Sequence, residues 1–322
     1  MTPSERLRAL AAQEGFRPDA VEKVQKLVGI LVRLDRHEAA EGMWLLKGGT
    51  ALNLFHLPLP RLSVDIDVNF VGEERVEALR DARSRFENAL ASCCEREGCT
   101  VRRAPTEHAG GKFRLRFASA LGGTQNLEID VSYVARVPLF DSERRRAVIP
   151  FAREDVATPL VSLPELVAGK FAALASRNAV RDQYDAASIL DERPEVVTTP
   201  SFRTAFVCFA ATQRNDCRKL RGAIAPLEPR DVEQRLVPLL RVRPGAPMAS
   251  VTELTARLRN TVVPAIAAAV AWSDPEREFL DRFLDAGEIR PALLTEDPVL
   301  HSRILRQPML LWKQRYILDR QH

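Results

Sequence analysis

Cysteine and histidine motifs that bind metals are absent from this 322-residue sequence. Its five cysteines form no C-x-x-C pair, and its five histidines form no i, i+4 pair of the kind that holds zinc on a helix. An odd number of scattered cysteines is typical of reduced thiols that take no part in a disulfide framework. We therefore expect buried, reduced cysteines and no zinc site.

Long hydrophobic runs and a high proportion of aromatic residues are also missing. The longest run of small apolar residues, 262–272, is shorter than the about 20 residues that span a bilayer, and no apolar signal region opens the sequence. The remaining composition, 46% hydrophobic and 28% charged, fits a soluble globular protein with room for two domains. We expect a cytoplasmic protein without a membrane segment, whose net charge of +4 permits nucleic-acid binding.

The first informative motif is a glycine turn within residues 44–52, WLLKGGTAL. A short apolar strand runs into Gly48-Gly49, and a helix begins there. A Gly-Gly turn brings backbone N–H groups close to a phosphate, and the helix start adds the positive end of its dipole. The motif therefore predicts a phosphate-binding turn.

The second motif is the segment 61–70, RLSVDIDVNF, in which every odd position is polar and every even position is apolar. This period of two predicts a strand whose solvent-exposed face carries Ser63, Asp65 and Asp67. Neighbouring like charges on a strand are destabilising, and a divalent cation would remove that cost. Carboxylates about 7 Å apart along a strand can share the metal ions that hold the attacking and leaving oxygens in nucleotidyl transfer.

A third carboxylate for such a site is offered by residues 126–131, NLEIDV. Glu128 and Asp130 share one face there, and Asp130 is the preferred candidate, although ordinary solvent-facing polarity explains the same pattern. Residues 18 to about 140 are predicted to form mixed α and β structure around a sheet. The predicted elements are a helix from Pro18, a helix over 73–97, and strands over 100–107, 112–118 and 126–134.

After Pro159 the sequence changes to helices interrupted by prolines. Ser162-Leu163-Pro164-Glu165 is a capping box with proline in the first turn, so a helix begins there. Lys170 in that helix, taken alone, is typical of a lysine that extends to solvent. Arg181, Asp182 and Asp185, taken alone, are typical of a surface ion pair of little energetic worth. The domain boundary is placed near residue 155.

Together these stretches resemble the AbiEii/AbiGii-type nucleotidyltransferase toxins of bacterial abortive-infection and toxin–antitoxin systems. The resemblance covers residues 47–190 and is specific in combination. Its motifs are Gly48-Gly49-Thr50-Ala51-Leu52, then Arg61-x-Ser63-x-Asp65-x-Asp67, and then Lys170, Arg177 and Arg181-Asp182-x-x-Asp185.

The resemblance implies an α+β protein with a DNA polymerase β-like nucleotidyltransferase domain, built on a mixed sheet, over 1–155. A mainly α-helical domain over 156–322 would follow and would carry the Lys170 motif and an RNA-binding surface. The implied activity is transfer of a nucleotide from an NTP, with Mg²⁺ or Mn²⁺, to the 3′ acceptor end of a tRNA, which arrests growth. A cognate antitoxin is the implied protein partner.

The resemblance gives a role to each site residue except Asp130, whose role as a third carboxylate comes from the strand pattern. The catalytic residues would be Asp65, Asp67, Lys170 and Asp185, with Asp65 and Asp67 holding the metal and Asp130 as their third ligand. The nucleotide would be bound by Lys47, Gly48, Gly49, Thr50, Ser63, Arg177, Arg181 and Asp182.

Four basic clusters are candidates for binding the RNA backbone. They are Arg102-Arg103, Arg114 with Arg116, Arg144-Arg145-Arg146, and Arg214 with Arg218-Lys219 and Arg221. Each alone is also explained as a solvated charge run, and aromatic residues are not interleaved with them, which argues against base stacking as the main mode. Two other hypotheses stay open: a nucleotidyltransferase that modifies a protein or a small molecule, and a binding module for NTP or RNA without catalysis.

Overall fold

The computed structural model describes residues 1–104, 110–151, 157–176, 179–220, 226–242 and 249–320. In these ranges the chain is an α+β protein with twelve α-helices and a seven-stranded mixed sheet. It divides into two compact units, each assembled from separate stretches of the chain. Unit 1 comprises Met1–Arg136, Ser142–Val161 and Gln234–Met248, and unit 2 comprises Val137–Asp141, Ser162–Glu233 and Ala249–His322.

The sheet belongs to unit 1. Its strands are β1 (Trp44–Lys47), β2 (Asp65–Phe70), β3 (Thr100–Ala104), β4 (Gly110–Ala118), β5 (Thr124–Ser132), β6 (Glu143–Arg146) and β7 (Ala157–Leu160). Their order across the sheet is β3-β4-β5-β2-β1-β7-β6. Strand β2 runs antiparallel to β1 and parallel to β5, so the two motif strands and the predicted third-carboxylate strand are neighbours.

The alternation of side chains along the strands decides which face of the sheet is covered. In β4, Phe113, Leu115 and Phe117 are buried, whereas Arg114 and Arg116 are exposed, as the sequence pattern predicts. The apolar residues of β2 and β5 on the same side are buried as well, so one face of the sheet forms the core of unit 1 and the other keeps its charged residues.

In the described ranges, unit 1 contains four α-helices beside the sheet: α1 (Pro3–Glu14), α2 (Pro18–Asp35), α3 (Gly48–Ala51) and α4 (Val76–Arg96). A capping box between Thr2 and Glu5 begins α1. The predicted helix from Pro18 is confirmed as α2, which buries its apolar stripe against α4, β5 and β7. Helix α3 continues directly into a π-helical turn over Leu52–His56.

Unit 2 contributes the eight remaining helices. They are α5 (Leu163–Ser176), α6 (Val180–Glu192), α7 (Pro200–Thr212), α8 (Pro229–Asp231), α9 (Val251–Ala269), α10 (Asp274–Ala286), α11 (Pro298–Arg306) and α12 (Pro308–Leu318). Several prolines that the sequence pattern suggests as helix breaks instead occupy the first position of a helix. The N–H group of a residue at that position makes no hydrogen bond within the helix, so proline, which lacks the N–H, is tolerated there. Helices α5 and α7 pack through Phe171, Phe202 and Phe206, whose rings contact one another.

The strand predicted over 61–70 is wrong in its first half. Strand β2 begins at Asp65, and both Arg61 and Ser63, predicted to face solvent, are buried. This part of the chain instead pairs with a distant segment of unit 1: Arg61 forms an isolated antiparallel bridge with Leu240, and the Leu62 N–H donates to the carbonyl of Leu239 at 2.9 Å. The backbone of residues 61–62 therefore takes part in a long-range pairing that the local pattern does not predict.

The capping box predicted at the start of α5 is also wrong, although the helix itself is confirmed. The Ser162 hydroxyl has no hydrogen-bond partner in the described part of the chain. The Glu165 carboxylate instead accepts the backbone N–H groups of Leu139, at 3.0 Å, and Phe140, at 3.3 Å. The buried Glu165 thus fixes the neighbouring 139–140 segment of unit 2.

The predicted boundary near residue 155 falls outside the described residues. Unit 1 passes to unit 2 between Val161 and Ser162, and the chain returns to unit 1 at Gln234. No helix in the described ranges is long and apolar enough to cross a membrane.

All five cysteines are buried and outside any disulfide, as predicted. Burial raises the pKa of the Cys208 and Cys217 thiols to about 12. These thiols are therefore protonated and unreactive at neutral pH.

Candidate active site

The glycine turn begins where β1 ends. Lys47 is the N-cap of α3, and Gly48 has a φ of 72°, a left-handed conformation that favours glycine. A Cβ built on Gly48 would lie 2.2 Å from Asp67 Oδ2 and 2.9 Å from Asp67 Cγ. Residue 48 must therefore be glycine both for its backbone conformation and because the Asp67 carboxylate occupies the space where a side chain would begin.

One hydrogen bond fixes this turn against β2, and a second one lies within the turn and the helix that follows it. The Thr50 hydroxyl donates to the backbone carbonyl of Asp65, and the Asn53 side-chain amide donates to the carbonyl of Gly49 at 2.9 Å. Thr50 is fully buried, so its hydroxyl holds the backbone of the aspartate strand. The predicted contact of Thr50 with a nucleotide stays a prediction.

Strand register brings the carboxylates together. In the antiparallel β1–β2 pair, Lys47 is opposite Asp67. In the parallel β2–β5 pair, Asp65 is opposite Glu128 and Asp67 is opposite Asp130. Four carboxylates therefore occupy adjacent positions on one face of two neighbouring strands.

Two cations of β4 border these carboxylates. Lys112 Nζ lies 2.7 Å from Glu128 Oε2 and 3.9 Å from Asp130 Oδ2, and Arg114 Nε lies 3.6 Å from Glu128 Oε1. Partial burial raises the pKa of the Asp130 carboxyl, and the negative charge of Glu128 adds to the effect, whereas Lys112 opposes it. Sequence reasoning did not single out Lys112, because its position beside Asp130 follows from the β4–β5 register.

The carboxylates fit a hard divalent cation that takes its remaining ligands from the substrate. Asp65 and Asp67 are half-buried and present oxygen ligands on one face, with Asp67 packed against the Gly48 turn. In the described part of the chain, no three Asp, Glu, His or Cys side chains form a ready-made metal cluster. That is compatible with Mg²⁺, which is commonly bound by one or two carboxylates together with substrate phosphates.

A second group of predicted site residues meets within unit 2. Lys170 Nζ of α5 lies 2.8 Å from Asp182 Oδ1 and 2.9 Å from Asp185 Oδ2, both on α6. The side chains of Lys170, Asp182 and Asp185 are only 10%, 8% and 0% exposed. The expectation from local sequence of a solvent-exposed lysine and a surface ion pair is therefore wrong. Arg181 is half-buried on α6, and Arg177 lies outside the described residues.

Most of the predicted basic clusters are partly neutralised by carboxylates. Arg103 pairs with Glu87 at 3.0 Å, and Arg144 pairs with Asp35 at 2.8 Å. Arg218 contacts three aspartates, Asp216, Asp281 and Asp285, at 2.7 to 2.9 Å. Arg221, at the end of the last cluster, lies outside the described residues. These clusters are less positive than their sequences indicate.

The family model described as "Nucleotidyl transferase AbiEii toxin, Type IV TA system" matches residues 29–276, about three quarters of the chain. The chain belongs to the AbiEii nucleotidyltransferase toxin family. Its structure is similar to MenT4, a nucleotidyltransferase toxin from Mycobacterium tuberculosis H37Rv, with a TM-score of 0.56 and 18% sequence identity. That similarity covers 93% of this chain and 98% of MenT4. No curated protein matches the sequence.

Membership of the AbiEii family confirms the predicted enzyme class, a nucleotidyltransferase of a toxin–antitoxin system, and implies an antitoxin partner. The matched range contains the glycine turn, both aspartate-bearing strands and the Lys170 group. The similarity to MenT4 supports the α+β fold. Helices α11 and α12 lie beyond the range matched by the AbiEii family model.

Proposed function

We propose that this AbiEii-family enzyme transfers a nucleotide from an NTP to the 3′ acceptor end of a tRNA and thereby inhibits translation and growth. Unit 1 would act as a DNA polymerase β-like nucleotidyltransferase domain. The observation that carries the proposal is the placement of Asp65 and Asp67 on one face of β2, with Asp67 packed against the Gly48 turn and in register with Asp130. This arrangement joins a phosphate-binding turn to a carboxylate pair.

Asp65 and Asp67 would hold Mg²⁺ or Mn²⁺, with Asp130 as a further ligand. The metal would neutralise charge at the reacting phosphate and orient the two oxygens involved. Because Lys112 lies 3.9 Å from Asp130 Oδ2, it competes with a cation for that carboxylate. We therefore assign Asp130 a weaker share of the binding than Asp65 and Asp67.

The triphosphate would be bound by backbone N–H groups of Gly48 and Gly49, together with Lys47 and Ser63. Oriented N–H groups at a glycine-rich helix start favour phosphate. In unit 2, Lys170 would neutralise nucleotide phosphates. The contacts of Asp182 and Asp185 with Lys170 Nζ would orient its ammonium group.

An RNA acceptor is supported by the charges that continue across the sheet from the carboxylates. Three strand pairings place four charged residues in one row across the sheet. Arg102 of β3 is opposite Arg114 of β4, and Arg114 is opposite Glu128 of β5. Glu128 is in turn opposite Asp65 of β2. One row of the sheet therefore passes from two cations to two carboxylates. Arg116, on the next exposed position of β4, extends the cationic part, which suits an anionic backbone leading towards the carboxylates.

The test is label transfer. Purified enzyme and Mg²⁺ are incubated with total bacterial tRNA and each α-labelled NTP in turn, beside Asp65→Asn and a matched control, Asp81→Asn, at an exposed position of α4. We expect label at the RNA 3′ end with at least one nucleotide. Asp65→Asn should lower transfer by several orders of magnitude, and Asp81→Asn should leave it unchanged.

Other outcomes would select a different function. Label on protein in a cell lysate, with none on RNA, would replace the tRNA acceptor by a protein side chain. NTP binding without transfer to RNA, protein or small molecules would indicate a binding module. Full activity of Asp65→Asn would contradict the assignment of the carboxylate pair.

A further inference from the structure

Helix α12 exposes two aromatic rings that the core does not use. Trp312 and Tyr316 are one turn apart and 62% and 46% exposed. Their rings are nearly parallel, at 14°, with centroids 6.0 Å apart. Large side chains of this kind are usually buried, and two that share an exposed helix face mark a surface for another molecule.

Two cations lie over the Tyr316 ring of this pair. Lys313 Nζ lies 5.7 Å, and the Arg320 guanidinium 5.5 Å, from the centroid of the Tyr316 ring, and Arg320 also donates to the Tyr316 hydroxyl at 3.2 Å. At about 100° per residue, Arg315 lies about 60° to one side of Trp312 on the helix, and Lys313 lies about 100° to the other. We call Trp312, Lys313, Arg315, Tyr316 and Arg320 the α12 surface.

The opposite side of α12 anchors the helix in unit 2. Leu310 is fully buried, and α12 packs against α7, α10 and α11. Lys313 Nζ donates to the carbonyl of Gln213 at 3.0 Å, which fixes the cation beside the aromatic pair. The α12 surface is therefore held on a packed helix, which lowers the cost of ordering it on binding.

We propose that the α12 surface binds single-stranded RNA by stacking a base on Trp312 while Lys313, Arg315 and Arg320, beside Tyr316, contact the phosphates. Planar π-faces bordered by cations are the combination that single-strand binding requires, and stacking on them tolerates any base sequence. A second copy of the chain fits poorly, because a symmetric contact through this surface would bring like charges together.

This proposal is independent of the proposed transfer reaction. The α12 surface lies beyond residue 276, where the family match ends, and it needs neither a metal nor an NTP. The sequence-based prediction argued against base stacking as the main mode of RNA binding, but it considered only the four basic clusters. The α12 surface lies outside those clusters. The signal was present in the sequence WKQRY, residues 312–316, but only the structure places the two rings on an exposed face.

The experiment measures binding without NTP or metal by two readouts, intrinsic tryptophan fluorescence and fluorescence anisotropy of a labelled probe. The probes are oligoadenylate RNA of about 12 nucleotides and an abasic strand of equal length and charge. Trp44 and Trp272 are buried, so quenching on binding would report Trp312. The variants are Trp312→Ala, Trp312→Phe, Trp312→Leu and Arg315→Glu, with Arg259→Glu at an exposed position of α9 as the charge control.

We expect oligoadenylate to bind and to quench the fluorescence, and the abasic strand to bind at least about tenfold more weakly. Trp312→Ala and Trp312→Leu should each lose about tenfold in affinity, whereas Trp312→Phe should keep most of it because its ring still stacks. Arg315→Glu should weaken binding clearly more than Arg259→Glu. Because Trp312 is exposed, these variants should unfold at the wild-type temperature.

Three results would overturn the proposal. The first is that wild-type protein fails to bind oligoadenylate, or binds the abasic strand equally well. The second is that Trp312→Ala binds oligoadenylate like the wild type. The third is self-association in sedimentation that is lost in Trp312→Ala but kept in Trp312→Leu, which would assign the surface to a second copy through its apolar area.

Discussion

The Asp67 carboxylate fills the position that a side chain on residue 48 would occupy, since a Cβ on Gly48 would lie 2.2 Å from Asp67 Oδ2. The Gly48 turn and the carboxylate strand are therefore one steric unit. A change in either residue alters the position of the other, and this coupling makes the glycine a direct test of the site.

Gly48→Ala should disrupt both stability and transfer. The left-handed backbone costs about 1–2 kcal/mol for an alanine, and the clash with Asp67 adds about 1–3 kcal/mol of overpacking. Gly42→Ala is the matched control, because Gly42 has a similar φ of 67° and no atom within 4 Å of an added Cβ. Urea unfolding and label transfer should show a larger loss for Gly48→Ala, and equal losses for the two variants would disprove the steric coupling.

Lys170→Met should destabilise the protein by about 3–5 kcal/mol. The substitution removes the cation that contacts Asp182 and Asp185, and both carboxylates are almost inaccessible to water. Arg193→Met, which removes an exposed ion pair with Glu195, should cost about 0–1 kcal/mol. Adding Asp185→Asn to Lys170→Met should restore part of the loss in chemical unfolding. A cost of Lys170→Met as small as that of Arg193→Met would show that the triad is not effectively buried.

Alkaline pH should destabilise the fold through its buried thiols. Unfolded cysteines ionise near their ordinary pKa of about 8.5, whereas folded Cys208 and Cys217 stay protonated up to about pH 12. Between these values the folded state binds more protons than the unfolded state, so the free energy of unfolding falls as pH rises. Cys208→Ala should reduce that slope in unfolding measured from pH 8 to 10.5. A slope unchanged by the substitution would contradict burial as its origin.

Arg102 should contribute more to tRNA binding than Arg144. Arg102 lies in the row of charges that leads to Asp65, whereas Arg144 already pairs with Asp35 at 2.8 Å. Arg102→Ala should weaken tRNA affinity several-fold. It should also lower the slope of log affinity against log salt concentration by the contribution of about one phosphate contact. Filter binding over a salt series would measure both effects, and a larger effect of Arg144→Ala would place the RNA elsewhere.

Local sequence determined the chemistry of the candidate site. The period-two pattern around Asp65 and Asp67, the Gly48-Gly49 turn after a short apolar strand, and the charge pattern of β4 each depend on residues close in sequence. Backbone geometry fixes the consequences of such patterns, because alternate strand positions share a face and a tight turn requires glycine. The enzyme class followed from these motifs in combination, and the family match confirms it.

Tertiary structure decided what surrounds those residues. Arg61 and Ser63 follow the same alternation as Asp65, yet both are buried, and the backbone at Arg61 pairs with Leu240. Lys170 is typical of a surface lysine until α6 places Asp182 and Asp185 against it. The β2–β5 pairing joins strands that α4, β3 and β4 separate in the sequence, and the burial of a side chain between two helices depends on how they pack, so the pattern around each residue specifies neither. The sequence named Asp65, Asp67 and Asp130, and the folded sheet set Asp130 in register with Asp67 and added Lys112 beside it.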